Sequence, residues 1–310
     1  MMALVEITKG SDTSEETTNT LAEFAKKLGK MPVIVKKDSC GFIVNRILGS
    51  VFNEAFWAYR QGETTKEGID ASIKYTGGFP MGLFEFADFL GLDTVYAVAK
   101  ALHAAYGERL RPCSEIIEPL VRAHNLGQKT GVGFYNWAKG RPQIPVALLK
   151  EYDISRTWAV AVNEAAWLIH DGAAAKEDID VAMKLGAYWP IGPWEYASKT
   201  GLREIVDELE VLCLDHDSGI YSVCPLLKQM ASKGPDVNEQ REESRKGVRA
   251  GAEGGETQIY DISHVRSENG LTPPPFHPSS REGTRCISCG VTNDSDANYC
   301  RNCGVRLQSS

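Results

Sequence analysis

The chain has 310 residues, 43% of them hydrophobic and 24% charged, the proportions of an ordinary globular protein long enough for two domains. A formal net charge of −7 argues against a general nucleic-acid or membrane surface, because both of those partners are anionic. No apolar run is long enough to span a bilayer, and Met1 to Ile7 lack the basic segment and long apolar core of a signal peptide, which predicts a cytoplasmic protein.

Residues 3–8 (ALVEIT) read as a short strand and TSEETTNTLAEFAKKLG as the helix after it. Thr13 or Ser14 can cap that helix, acids crowd its first turn, lysines its last, and Gly29 stops it. MPVIVKKD is a second strand. From Phe42 to about residue 230, helical periodicity dominates.

The stretch GFIVNRILGSVFNEAFWAYRQG (41–62) is mostly apolar, yet as a helix it places Asn45 on one stripe with Gly49, Phe52 and Phe56. Burying an amide there costs about 1–3 kcal/mol unless it is hydrogen-bonded. On these residues alone Asn45 reads as a satisfied core or inter-helix asparagine.

A shift of 110 residues aligns 45–92 with 155–202 without a gap. NEAFWAYRQGETTKEGID meets NEAAWLIHDGAAAKEDID, and FPMGLFEFADFLGL meets WPIGPWEYASKTGL. Arg46/Arg156, Asn53/Asn163, Glu54/Glu164 and Asp70/Asp180 are among the matches, too many in one register for chance. In each copy a long helix ends at Gly62 or Gly172, a shorter one begins near Thr65 or Lys176, and a Pro-Met-Gly or Pro-Ile-Gly turn opens another. Thr64 with Glu67 makes a capping box in the first copy only. Trp57, Trp167, Trp189 and Trp194 read as packing residues. Two copies with matching apolar faces most simply pack on each other as an intrachain pseudo-dimer.

Beyond about residue 232 the chain turns polar and rich in Gly and Pro, without periodicity, which predicts a disordered linker. IYDISHV (259–265) is its only apolar island. Cys40, Cys113, Cys213 and Cys224 are scattered singly and read as small buried hydrophobes, not disulfides. Cys286, Cys289, Cys300 and Cys303 form two Cys-x-x-Cys-Gly knuckles ten residues apart. Four thiolates in that spacing complete a tetrahedral zinc site, preferred here over a redox dithiol or an iron centre. In so short a segment the metal is structural, because it supplies folding energy that a small core cannot.

Several of these stretches converge on one family. MMALVEITKG, LGKMPVIVKKDSCGFIVNRIL, GFPMGLFEFADFLGLDT and NLGQKTGVGFYNW resemble the 3-hydroxyacyl-CoA dehydrogenases of fatty-acid β-oxidation and butanoate metabolism. The resemblance is close over 3–137, and 155–202 resemble the repeated C-terminal domain of longer members. It implies an N-terminal Rossmann domain that binds NAD and a helical C-terminal domain that dimerises and forms part of the substrate cleft. It also implies a histidine base for the 3-hydroxyl, a glutamate that orients that imidazole, and an asparagine that binds the substrate oxygen. The glutamate falls on Glu6 and the asparagine on Asn45, which would explain an amide on an apolar stripe: it faces the cleft.

The departures are equally specific. The family's histidine lies farther upstream of the glutamate than the five residues that precede Glu6, and no Gly-x-Gly-x-x-Gly joins a strand to a helix. The sequence therefore reads as starting inside the last part of a Rossmann domain. Ser155 stands where the first copy has Asn45, so the second copy reads as structural. His103, His124, His170 and His216 fit surface or capping roles, and His264 and His277 fall in the linker. Lys129-Thr130, though followed by Gly131 and Gly133, read as a turn that packs the module's tail, since no strand precedes them.

The expected fold is mainly α. Residues 1–38 are a Rossmann remnant, 39–140 a first helical dehydrogenase module and 141–232 a second, degenerate one. Residues 233–284 are a disordered linker and 285–307 a zinc ribbon. The expected function is the substrate-cleft and dimerisation part of a 3-hydroxyacyl-CoA dehydrogenase acting on acyl-CoA. NAD would enter only through a separate Rossmann-domain chain or sequence missing here, and zinc through the ribbon. The alternative is a non-catalytic scaffold that uses the helical fold for assembly and the ribbon for recruitment.

Overall fold

A computed structural model describes residues 2–216, 219–233, 284–285 and 292–293. Most of the expected linker and all four clustered cysteines lie outside the described residues.

The chain begins with two parallel strands, β1 (Leu4–Thr8) and β2 (Met31–Val35), joined by α1 (Glu15–Lys27). Glu6 sits opposite Val33 in the register. Ser14 caps α1 by accepting from the Thr17 N–H at 3.1 Å, and Glu15–Glu16 and Lys26–Lys27 complement the helix dipole at its two ends. Gly41 (φ 79°) and Phe42 (φ 48°) then turn the chain through the left-handed region into the long helix α2 (Val44–Arg60). There follow α3 (Lys66–Ala71), continued by a π-turn over Ser72–Thr76, then α4 (Leu83–Leu90), α5 (Leu92–Tyr106) and α6 (Ser114–Arg122). The second half runs through α7 (Ile154–His170), α8 (Lys176–Gly186), α9 (Pro193–Thr200), α10 (Leu202–His216) and α11 (Pro225–Ser232). The molecule is mainly helical, as the periodicity predicts. Among the described residues no helix is long and apolar enough to cross a membrane.

The two halves share helix lengths and one helix-start motif. α2 and α7 both have 17 residues, and α5 and α10 both have 15. Buried Asp70 accepts from the N–H groups of Phe84 (2.8 Å) and Glu85 (2.9 Å) at the start of α4. Asp180 does the same for Trp194 (2.8 Å) and Glu195 (3.0 Å) at the start of α9. Both helices open on a glycine pressed so close to the aspartate that a Cβ would collide with it, which accounts for Gly82 and Gly192.

α2 and α7 form the centre of the core. Arg46, near the start of α2, donates to Glu164 (2.5 Å) and Asp171 (2.6 Å) at the far end of α7 and just beyond it. Arg156, near the start of α7, pairs with Glu54 (2.7 Å) and Glu63 at the far end of α2 and just beyond it. The two helices are therefore antiparallel. Halfway along, the Ser50 hydroxyl lies 3.5 Å from the carbonyl oxygen of Val160, its counterpart in the 110-residue register.

Phe79 of the first half packs against Trp158 and Trp189 of the second, each with centroids 5.3 Å away, and Trp158 stacks on Tyr196 at 4.7 Å. Trp189 and Trp194 are buried and Trp57 and Trp167 partly so, consistent with packing roles. α8 closes over the strand pair, where Gly186 approaches Leu4 and Val44 too closely for a Cβ.

One expected cap moves by a residue. Thr65, not Thr64, caps α3, accepting from the Gly68 N–H at 3.0 Å, while the Thr64 hydroxyl is buried without a partner. The helix starts one position later than the Thr64–Glu67 spacing implied. Gly68, at the third position, has no side chain to complete a capping box.

Candidate active site

Glu6 lies in the middle of β1, and its carboxylate reaches the first turn of α2. It accepts from the Ile43 N–H at 2.8 Å and from the Val44 N–H. These are helix-start donors without intrahelical partners, so a strand residue completes the helix and fixes its entry beside the strand. Burial pushes the Glu6 carboxyl above its ordinary pKa, and the two backbone hydrogen bonds oppose the rise. Asn45 is the next residue along. It is exposed on a helix whose neighbouring positions are buried, and its amide bonds to no described residue. The buried-core reading of Asn45 therefore fails: the residue is exposed.

Asn45 stands at the rim of a cavity of about 130 Å³ between α2, α5 and α6. The walls are almost wholly apolar and include Leu48, Gly49, Phe52 and Phe56 from α2, Val95, Val98 and Ala99 from α5, and Cys113 and Ile117 from α6 and the residue before it. At Gly49 a Cβ would press on the Leu102 side chain of α5. Burial pushes the Cys113 thiol up to about 12, with Glu115 adding to the rise, so it is an inert wall and not a nucleophile. The stripe read from the sequence, Asn45-Gly49-Phe52-Phe56, is thus the cavity face of α2.

Position 155 is built differently. The Ser155 N–H donates to the Asp153 carboxylate at 2.9 Å as α7 begins. The Lys129-Thr130 turn belongs to the structure of the first half. Asp88 on α4 accepts from the N–H groups of Phe134 (2.9 Å) and Tyr135 (2.8 Å) and from the Trp137 indole (2.9 Å), gripping the tail that follows the turn. None of His103, His124, His170 and His216 lines the cavity. Among the described residues no group of three or more His, Cys, Asp or Glu is placed to hold a metal ion.

The sequence reading missed two features of this region. Arg46, adjacent to Asn45, is fully buried, with its guanidinium over the Tyr106 ring at 4.1 Å. Tyr106 donates to the Cys40 carbonyl at 2.9 Å, bracing the turn into α2. The repeat match Arg46/Arg156 was the available signal, since an arginine kept in both copies beside an apolar stripe needs a buried partner.

The family model described as 3-hydroxyacyl-CoA dehydrogenase, C-terminal domain, matches residues 41–137 and again 152–245. The model described as 3-hydroxyacyl-CoA dehydrogenase, NAD binding domain, matches residues 1–39, so the segment read as a Rossmann remnant is recognised as sequence of that domain. A probable 3-hydroxyacyl-CoA dehydrogenase of Caenorhabditis elegans is 44% identical over 140 residues, 45% of this chain and 47% of that protein. The 3-hydroxybutyryl-CoA dehydrogenase of Clostridioides difficile is 40% identical over 139 residues, 45% of this chain and 49% of that protein. The chain thus spans about half the length of these relatives. The crystal structure of 3-hydroxybutyryl-CoA dehydrogenase from Escherichia coli superposes with a TM-score of 0.69 at 26% identity, covering 75% of this chain and 68% of that one. On its two matches to the C-terminal domain, the chain belongs to the 3-hydroxyacyl-CoA dehydrogenase family.

Proposed function

We propose that this chain is the substrate-cleft part of an NAD-dependent 3-hydroxyacyl-CoA dehydrogenase, which oxidises 3-hydroxyacyl-CoA to 3-oxoacyl-CoA once completed by a Rossmann half. The observation that carries the proposal is the pairing of Glu6 with Asn45. The Glu6 carboxylate is anchored 2.8 Å from the Ile43 N–H, and two residues on, Asn45 presents an unpaired amide at the mouth of an apolar cavity. Asn45 would donate to the substrate's 3-oxygen, and Glu6 would hold and electrostatically support the imidazole of a histidine base. The second half would be a degenerate copy that replaces a partner subunit, its helix α7 packed on α2 as an intrachain pseudo-dimer.

These 310 residues do not fit the cofactor by themselves. No glycine-rich strand-to-helix turn is present to cradle a pyrophosphate, so nicotinamide binding and the histidine base fall to a separate chain or to sequence outside this one. In the zinc reading, the donor set fits the metal: Cys286, Cys289, Cys300 and Cys303 would hold one structural zinc ion, which orders the ribbon and leaves the helical body unaffected.

The test is reconstitution. The purified chain should not reduce NAD with 3-hydroxybutyryl-CoA, and adding a Rossmann half from a relative should give turnover. Robust turnover by the repurified chain alone would contradict the need for a second part. A folded, stoichiometric complex without activity would favour the scaffold reading.

A further inference from the structure

Eight residues after Asn45 on α2, Asn53 is only 3% exposed and lines the same cavity. Its amide forms no hydrogen bond with any described residue. The corresponding Asn163 is fully engaged, donating to the Ser222 carbonyl (2.9 Å) and accepting from the Cys224 N–H (2.8 Å). Before α6 and α11 the halves align at a spacing of 111, with Cys113 and Cys224 each preceding the helix, and the first half's counterpart of the Ser222 carbonyl, that of Arg111, accepts from the Trp57 indole at 3.4 Å. Asn53 is left facing the cavity. In the second half the larger, fully buried Leu209 stands in the place of Ala99 and Glu208 in the place of Val98.

The Asn53 amide is open to whatever occupies the cavity, and a guest that offers it no hydrogen bond displaces water from it at a cost. The cavity of about 130 Å³ has room for about four water-sized groups at roughly 30 Å³ each. No charged side chain lines it, so a carboxylate would sit there without a counter-ion. We propose that this cavity receives the acyl tail of the thioester whose 3-oxygen Asn45 binds, and that Asn53 selects short tails ending in a neutral hydrogen-bonding group. The proposal rests on the substrate role of Asn45. A tail of about four non-hydrogen atoms beyond C3 fills the space. An alkyl tail of that size displaces the water and strands Asn53, whereas a terminal hydroxyl replaces the water's hydrogen bond.

The test is calorimetric titration of the full chain with two isosteric esters, 3,6-dihydroxyhexanoyl-CoA and 3-hydroxyheptanoyl-CoA. The Asn53→Leu protein should shift their affinity ratio at least tenfold towards the heptanoyl ester. Val98→Phe, which fills the cavity from a half-buried position, should weaken both esters while leaving free CoA unaffected. Melting curves establish that each variant is folded. An unchanged ratio in folded Asn53→Leu, or undiminished binding in Val98→Phe, overturns the inference. Asn45→Ala separates the two levels: if it weakens neither ester relative to CoA, the substrate role of Asn45 fails first. If it weakens both while Asn53→Leu leaves the ratio unmoved, only the tail pocket fails. Failure of the chain to bind either ester overturns both.

Discussion

Glu164→Ala should destabilise the helical body sharply. Glu164 is 3% exposed and receives the Nε of fully buried Arg46 at 2.5 Å, and Arg109 lies 3.3 Å from its other oxygen. Burial pulls the Arg46 guanidinium towards losing its proton, but the charge of Glu164 and hydrogen bonds to Asp171 and Glu164 outweigh it, so the pKa is raised and the charge persists. Removing one partner of such a pair leaves an uncompensated buried charge, at about 3–5 kcal/mol. Asp171 still meets Arg46 at 2.6 Å, which places the expected loss near 3 kcal/mol, or roughly 6–12 °C in Tm for a body of this size. Replacing the pair together, as Arg46→Met with Glu164→Leu, should cost less than Glu164→Ala alone, because apolar groups of similar volume need no counter-charge. Thermal melts of the three proteins decide it. A Glu164→Ala protein within about 1 kcal/mol of wild type, or a double variant worse than the single, would refute this account of the interface.

Other variants probe the site and its supports. Because burial raises the Glu6 pKa, its stabilising contribution is complete below the unfolded-state value and is lost as pH rises through the folded one. Glu6→Gln should therefore raise Tm at pH 7–8 but not at pH 4, and equal shifts at both would show that ionisation is not the cause. Asp88→Ala strands one buried and two part-buried donors, the buried one at about 1–3 kcal/mol, so residues 127–137 should lose hydrogen-exchange protection before the rest of the body. Chelation should remove one zinc ion per chain without altering the helical circular dichroism; a concurrent loss of helix would contradict the separation of ribbon and body.

Much of this architecture is legible in local chemistry. Ser14 before two acids marks the start of α1, and the 110-residue register marks two halves before any contact is known. Periodicity alone puts Asn45 on one face with Gly49, Phe52 and Phe56, and that face proves to be the cavity wall. What periodicity cannot supply is whether a stripe faces protein or empty space, which depends on α5 and α6 some 40–70 residues later. The register likewise identifies Arg46/Arg156 and Glu54/Glu164 as repeated pairs. That each arginine reaches the other half's glutamate is a property of antiparallel packing across 118 residues of chain, invisible at local range. Asn53 and Asn163 show the same limit: identical residues in matching helices differ in their partners, and the loop that engages Asn163 lies some 60 residues further along the chain.

The most direct measurement compares Asn45→Ala with Ser155→Ala in a complex reconstituted with a Rossmann half, recording both kcat/KM and Tm. If Asn45 binds the substrate oxygen, its loss should lower kcat/KM by about 10²–10³-fold and leave Tm nearly unchanged, because an exposed amide leaves no buried partner behind. Ser155→Ala should leave kcat/KM near wild type. An Asn45→Ala protein that turns over at the wild-type rate would contradict the assignment of the site.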